Sequence, residues 1–465
     1  MKRLYTCKDV LLAYLLVALV YPHYLEAQNN HVYSLQALVA LAEKYTPSIR
    51  QSEAFANAAT ANVTIVKHEA LPFVKFNAQA SLGSANSVNG NYFPMGIVPS
   101  TSGSIDESQT FQPVVGDLAV VYSEYDFYNF GLTKARNHVA EAEAALGKAA
   151  LARDKYQLKI NLAKLYFDIL TYQNLQEIDE HNVDRYNTIT TIIQALTHAG
   201  IKPGSDLSQA NAELANANIA LNKTKTQLQE SLEAMSAYTG VSVDSLNINS
   251  RILDSSSVYN NLAYDTMETN NPILNYYKSN NDFLATNAVL LKKSYLPKFT
   301  LISSFWGRAG SLDKNLDYNA LYTGLGFQRF NYAVGIAFVY DFMDPLHRKD
   351  KLAEYKYEMT TGEEAYNQQV LNFRKASDQA DLQLKLVLNN LQLLTIQRKS
   401  ARAVFLDKQA QYKAGMVTLI DLTNANFILY RALVNYLNAI DDWYAANLSK
   451  AIVTGNLDNF IQSVN

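Results

Sequence analysis

Two stretches combine a tight-turn signal with a chargeable side chain at a fixed offset. "AGIKPGSDL" runs from Ala199 to Leu207 and "AGMVTLIDL" from Ala414 to Leu422, each with five residues between Ala-Gly and Asp-Leu. Aspartate just past a turn is a preferred helix cap, because its carboxylate accepts hydrogen bonds from the free N–H groups of the first turn. Its recurrence 215 residues later says that one device is built twice. Other chemistry is poorly represented. The seven histidines are scattered, with no His-Glu-x-x-His pair, nucleophile elbow or Walker-type loop. "GLGF" at Gly324 lacks the third glycine of a dinucleotide site, and the adjacent pairs Glu363-Glu364 and Asp441-Asp442 point to different sides of a helix. No catalytic set and no cofactor is expected.

A net charge of −3 over 465 residues gives no basic field for nucleic acid. Lys2, Arg3 and Lys8 precede the apolar run Val10–Val20 and a polar stretch ending at Ala27, which is the layout of a cleaved secretory signal over 1–27. The run is short for a retained membrane anchor. The single cysteine, Cys7, lies before it, so the mature chain has neither disulfides nor thiolate metal sites. No later stretch is apolar for long enough to form a transmembrane helix. An exported chain that still crosses a membrane must then do so as a closed β-barrel.

The whole chain is written twice. Pro47, Asn62, Lys67, Leu71 and Pro72 recur 225 residues later as Pro272, Asn287, Lys292, Leu296 and Pro297. After the offset shortens to 215, Tyr125-Asp126-Phe127 returns as Tyr340-Asp341-Phe342, and Thr239-Gly240 as Thr454-Gly455. The change of phase falls between Pro72 and Asp126, which predicts a surface loop there. No proline interrupts 114–202, 204–271 or 346–465, so these spans are free to be continuous helix. Gly131–His198 alone predicts a rod of roughly 100 Å. After each turn a heptad seam appears, with one large series and one small one. In the first copy Leu207, Leu214, Leu221, Leu228 and Met235 run beside Ala210, Ala217, Thr224 and Ser231. In the second Leu422, Leu429, Tyr436 and Trp443 run beside Ala425, Ala432, Ala439 and Ala446. That predicts close coiled-coil packing rather than a single amphipathic face.

Between the helices the period changes to two. Val74, Phe76, Ala78, Ala80 and Leu82 alternate with Lys75, Asn77, Gln79 and Ser81, and a second run spans Tyr332, Val334, Ile336, Phe338, Tyr340 and Phe342. Asp117–Tyr125 and Lys298–Trp306 read as strands with weaker alternation. A greasy face backed by a small or polar one fits a strand between lipid and a wet lumen, and equally a half-buried soluble sheet. Four strands cannot close around water by themselves, so a barrel requires several chains.

Taken in order, these features resemble the TolC-like outer-membrane efflux proteins over about Val32–Gly455. The Leu-Pro steps at Leu71-Pro72 and Leu296-Pro297, the two Tyr-Asp-Phe exits and the paired turns entering small-residue heptads carry the likeness. The resemblance implies a mainly α fold with a small β part: a trimeric α-barrel of long helical hairpins joined to a shared 12-stranded antiparallel transmembrane β-barrel, four strands per protomer. It implies a homotrimer in the bacterial outer membrane with a long periplasmic extension. Such a duct receives substrates from a periplasmic adaptor (membrane fusion) protein and an inner-membrane pump of RND or ABC type, and contacts outer-membrane lipid. An exported, non-pore coiled-coil scaffold or adhesin is the alternative.

The implied organisation is a signal peptide (1–27), a first repeat (28–240), an equatorial linker (241–262), a second repeat (263–455) and a C-terminal tail (456–465). The first repeat holds an inter-strand loop at 84–116, a long helix at 131–198, a turn at 199–206 and a helix at 207–239. The second holds the loop at 307–330, the long helix at 346–413, the turn at 414–421 and the helix at 422–453. In the same likeness Asp421 lines the periplasmic aperture, and the family's second acidic position is Asn424 here. Asp206 and Tyr412 form a closed-state link by hydrogen bond. The link's basic partner is replaced by Val417, with Lys202 or Lys413 as possible substitutes. Gly200, Ile201, Lys202, Gly415, Met416 and Val417 form the adaptor-contacting tips. Helix capping alone remains the other reading of both aspartates.

Overall fold

The computed structural model describes residues 32–89, 103–105, 107–248, 271–313 and 317–464. The expected signal peptide, most of the expected linker (249–262), the middle of the first inter-strand loop (90–102) and residues 314–316 of the second lie outside the described residues. In chain order the elements are α1 (Leu35–Tyr45), α2 (Pro47–Glu69), β1 (Phe73–Gly83), short strands β2 (Ser87–Asn89) and β3 (Gly103–Ile105), β4 (Val114–Tyr128), α3 (Leu132–His198) and α4 (Gly204–Thr239). The second half repeats them as α5 (Pro272–Ser294), β5 (Lys298–Gly310), β6 (Arg329–Val339), α6 (Asp344–Lys413) and α7 (Leu419–Thr454), followed by α8 (Leu457–Ser463). Two compact units divide the chain differently from the repeats. One comprises the described parts of Met1–Arg50, Asp154–Asn271 and Leu371–Asn465. The other comprises Gln51–Arg153 and Pro272–Val370. Each unit takes a piece of both repeats.

The strand-bearing unit is built on a four-stranded antiparallel sheet in the order β1-β4-β5-β6. Its register sorts the side chains into two faces. Phe76, Val121, Phe305 and Tyr332 lie level on one face, and Val74, Ser123, Ser303 and Val334 one step along it. On the other face Asn77, Val120, Trp306 and Asn331 are level, then Gln79, Leu118, Arg308 and Arg329. The first face is apolar with few exceptions; the second mixes polar, small and charged residues. Along β1 every residue is exposed, and along β6 all but one are. Tyr332, Val334, Ile336 and Phe338 therefore stand uncovered at 59–81% of full exposure.

The fourth strand is shorter than its sequence pattern suggested. β6 stops at Val339, and Tyr340 and Phe342 lie beyond it with their rings in edge contact at 5.2 Å. Asp341 ends the strand. Its Oδ1 accepts from the Met343 N–H at 2.9 Å, a local turn that competes with the ladder, and α6 starts at Asp344. In the first copy Tyr125-Asp126-Phe127 stays inside β4, at a break in register between Tyr125 and Tyr128. There Asp126 accepts from the Thr300 hydroxyl (2.6 Å) and Lys298 Nζ (2.9 Å).

The other unit is held by the heptad seams. Ala210, Ala217, Leu221, Thr224 and Met235 of α4 are buried, as are Leu422, Ala425, Leu429, Ala432, Tyr436, Ala439, Trp443 and Ala446 of α7. The C-terminal tail is part of this core. Leu457, Phe460 and Ile461 of α8 are buried, and the Phe167 ring stacks on Tyr444 at 4.7 Å and meets Phe460 at 5.9 Å. No described helix is long and apolar enough to cross a membrane.

Both Ala-Gly turns have one geometry, which explains the repeated motif. α3 ends before Gly200 (φ 71°), where the Ile201 N–H donates to Leu196 O at 2.9 Å. α6 ends before Gly415 (φ 74°), where the Met416 N–H donates to Gln411 O at 2.9 Å. This is the Schellman ending, which needs a left-handed residue and so a glycine. A Cβ at either glycine would meet nothing within 4 Å. Gly415→Ala should therefore lower stability by about 1 kcal/mol through backbone strain alone, read as a fall in thermal midpoint with unchanged helical circular dichroism.

Candidate functional site

α4 and α7 begin three residues earlier than the sequence suggested, so Asp206 and Asp421 are not N-caps. Pro203 and Thr418 hold those positions, and each aspartate is the third helical residue. At Thr418 a full capping box forms. The Asp421 N–H donates to Thr418 Oγ1 at 3.2 Å, and Asp421 Oδ2 accepts from the Thr418 N–H at 2.9 Å and its hydroxyl at 2.6 Å. The threonine hydroxyl, then its backbone N–H, hold the exposed Asp421 carboxyl below its ordinary pKa. The first turn has no such box, since Pro203 has no N–H to give and makes no side-chain cap.

Asn424 is exposed one turn beyond Asp421 on α7, so the two share a solvent-facing stripe. Gly200, Ile201, Gly415 and Met416 are exposed, Lys202 and Val417 half-buried. Tyr412, in contrast, is 4% exposed. Its hydroxyl is buried with no hydrogen-bond partner, so the Tyr412–Asp206 bond expected from the sequence is not made within this protomer. The aspartate is near enough to act through its charge: burial first, then Asp206, push the Tyr412 phenol up. Lys202 Nζ stands 5.7 Å from the centre of the Tyr412 ring, a cation over an aromatic face rather than an ion-pair partner. Charge, ring and carboxylate thus meet here without a direct bond between Tyr412 and Asp206.

Sequence reading missed a buried polar cluster further along the same helices. Asp179 of α3 is 1% exposed and accepts from the Thr224 hydroxyl of α4 (2.6 Å) and the Tyr430 hydroxyl of α7 (2.8 Å). One turn on, Asn182 Oδ1 accepts from Asn426 Nδ2 (3.0 Å), while Arg185 Nε donates to Asn426 Oδ1 (2.7 Å). Burial lowers the Arg185 pKa and raises that of Tyr430, whose bond to Asp179 adds to the rise. Part of the signal lay in single helices: Thr224 is a polar member of a small-residue series, and Asp179, Asn182 and Tyr186 lie along one face of α3.

The outer membrane efflux protein family model matches residues 38–241. Solved structures with the same fold include the outer membrane protein VceC of Vibrio cholerae, 14% identical with TM-score 0.72, covering 90% of this chain and 96% of that one. The CmeC outer membrane channel of Campylobacter jejuni is 14% identical with TM-score 0.73, covering 93% and 89%. The outer-membrane channel OprN is 15% identical with TM-score 0.72, covering 91% and 90%. No curated protein sequence matches the chain.

Over residues 38–241 the chain is similar to the outer membrane efflux protein family. The family match covers the first repeat, and the fold match extends across the second.

Two measurements probe the polar groups of these helices. Asp179→Ala strands two buried hydroxyl donors and should cost about 2–4 kcal/mol, whereas Asp179→Asn keeps an acceptor and should cost less than half as much; thermal unfolding ranks them. Asp421 has a depressed folded-state pKa, so its stabilisation is present above the unfolded carboxylate value of about 4 and is lost as pH falls through the folded value. Asp421→Ala should therefore lower the thermal midpoint at neutral pH, with the gap closing progressively below about pH 4.

Proposed function

We propose that this outer-membrane efflux duct is the exit component of a tripartite efflux or type I secretion system, working as a homotrimer whose protomers each supply a third of the wall. One observation carries the reading. The sheet ends in two strands, β1 and β6, that are exposed along their length and, among the described residues, lack a neighbour on their outer edges. In lipid every such N–H and C=O must be paired. The strands alternate in direction, so β6 of one protomer set beside β1 of the next continues the antiparallel order. Three copies give twelve strands and no edge.

In this reading the exposed Asp421 and Asn424 line the periplasmic aperture, where a ring of carboxylates favours cations. Asp206, Tyr412 and Lys202 set the resting position of the two turns through charge and ring contact. The exposed residues around Gly200–Lys202 and Gly415–Val417 receive a periplasmic adaptor, which links the duct to an inner-membrane pump of RND or ABC type.

Disulfide trapping tests the closure. Cys7 is the chain's only cysteine, so in a Cys7→Ser background Asn77→Cys on β1 is combined in turn with cysteines along β6. The expected product is a covalent ring of three subunits in the outer-membrane fraction. Monomer at every pairing, open-ended ladders, or recovery with soluble periplasmic contents would replace the duct with a scaffold.

A further inference from the structure

The described part of the segment between β5 and β6 does not stand clear of the sheet. Its 3₁₀ turn, Leu321–Leu325, folds back over the end of the sheet opposite the helices. The face it covers is fixed by two glycines. A side-chain carbon at Gly324 would overlap the Val115 carbonyl and come within 3.0 Å of Val115 Cβ. A side-chain carbon at Gly307 would lie 3.2 Å from the Phe327 ring. Val115 and Gly307 share the apolar face with Val121, Phe305 and Tyr332. The turn is therefore applied to the greasy side of the sheet.

Backbone and side-chain hydrogen bonds hold it there. Ser311 N–H donates to Val115 O, and Val115 N–H to Ser311 Oγ, both at 2.8 Å. Asn319 N–H donates to Ser311 O (2.7 Å), Gln328 N–H to Arg308 O (3.0 Å) and Gln328 Nε2 to Thr323 O (2.7 Å). A segment tied this way would be expected to tuck its apolar side chains against the sheet. Instead Tyr322 is 77% and Leu325 61% exposed, with Leu321 and Phe327 also uncovered. Phe327 joins them to the apolar band, its ring 6.1 Å from Phe330, which stacks on Phe305 at 6.0 Å; Asp117 is the one charged side chain of the sheet on that face.

We propose that Leu321–Phe327 is a built-in lipid anchor, seated in the headgroup–acyl boundary of the outer leaflet rather than in extracellular water. The inference rests on the barrel-wall reading above, in which the apolar face meets lipid. Tyrosine suits this depth because its ring is apolar and its hydroxyl is wet. Leucine and phenylalanine beside it add buried apolar area, and hydrogen-bonded preorganisation lowers the entropy lost on insertion. The partner is a lipid surface, and continuity with the lipid-facing band decides it.

The test uses the Cys7→Ser full chain, with a single cysteine carrying the fluorophore NBD, in vesicles of phosphatidylcholine with or without brominated acyl chains. Probes sit at Tyr322→Cys and Leu325→Cys, with Val334→Cys as the apolar-face control and Ala333→Cys as the opposite-face control. All four positions are uncovered, so substitution leaves the core intact. The expected result is loss of fluorescence at 322 and 325 with brominated lipid, matching 334, together with shielding from aqueous iodide. Quenching at 334 by brominated lipid but at 322 and 325 by iodide alone overturns the anchor and leaves the wall standing. Loss of lipid quenching at 334 as well would take down both.

Discussion

Backbone polarity in lipid is the constraint on which the rest depends. A strand at bilayer depth cannot leave N–H and C=O groups unpaired, because no water is present to satisfy them. Strands of 11, 15, 13 and 11 residues are long enough to span the hydrocarbon, where about 9–11 are needed. Yet β1 and β6 each leave one edge open. The single chain is therefore incomplete as a membrane element, and its incompleteness has a definite form: two complementary edges and one apolar face. Association through those edges answers a cost already present in the protomer.

The two turns show how a duplicated device diverges while its backbone stays the same. Both endings use a left-handed glycine with the same six-residue hydrogen bond. What differs is the residue that opens the next helix. Thr418 supplies an N–H and a hydroxyl, so the Asp421 carboxylate folds back onto its own chain. Pro203 supplies neither, and the Asp206 charge instead bears on Tyr412 of the other turn. One substitution at an N-cap thus separates a self-satisfied carboxylate from one whose influence reaches across to a second hairpin.

The long helices, the strands and both turns were legible because each rests on a local rule. Proline-free spans, seven-residue series, period-two alternation and glycine followed by aspartate need no knowledge of what lies across the packing. Errors arose where a local bond decides an end. Tyr340 and Phe342 continue the alternation of β6 in sequence, but the Asp341 turn stops the ladder first. Asp206 and Asp421 have the residue type of a cap, yet the caps lie three residues earlier, at a proline and a threonine. The Asp179 cluster left only partial traces on single helices, for the opposite reason. Its members come from residues 179, 182, 185, 224, 426 and 430, and only tertiary packing brings them together.

That cluster also changes where the hairpins are held. The Tyr412 hydroxyl of α6 has no partner, so no bond from it fixes α6 against α4 at the turns. The fixed points are Asn426 and Tyr430, about 12–18 Å along α7 from Thr418 at 1.5 Å per residue. These bonds are desolvated, and separating their partners would leave a carboxylate, an arginine and several hydroxyl or amide groups buried without replacements. Movements that pull α3 and α7 apart there are opposed by the whole cluster. Between the cluster and the tips the contact is apolar, made by Ile189, Ile193, Ala210, Tyr412, Leu419 and Leu422, so separation there exposes carbon surface rather than stranding polar groups.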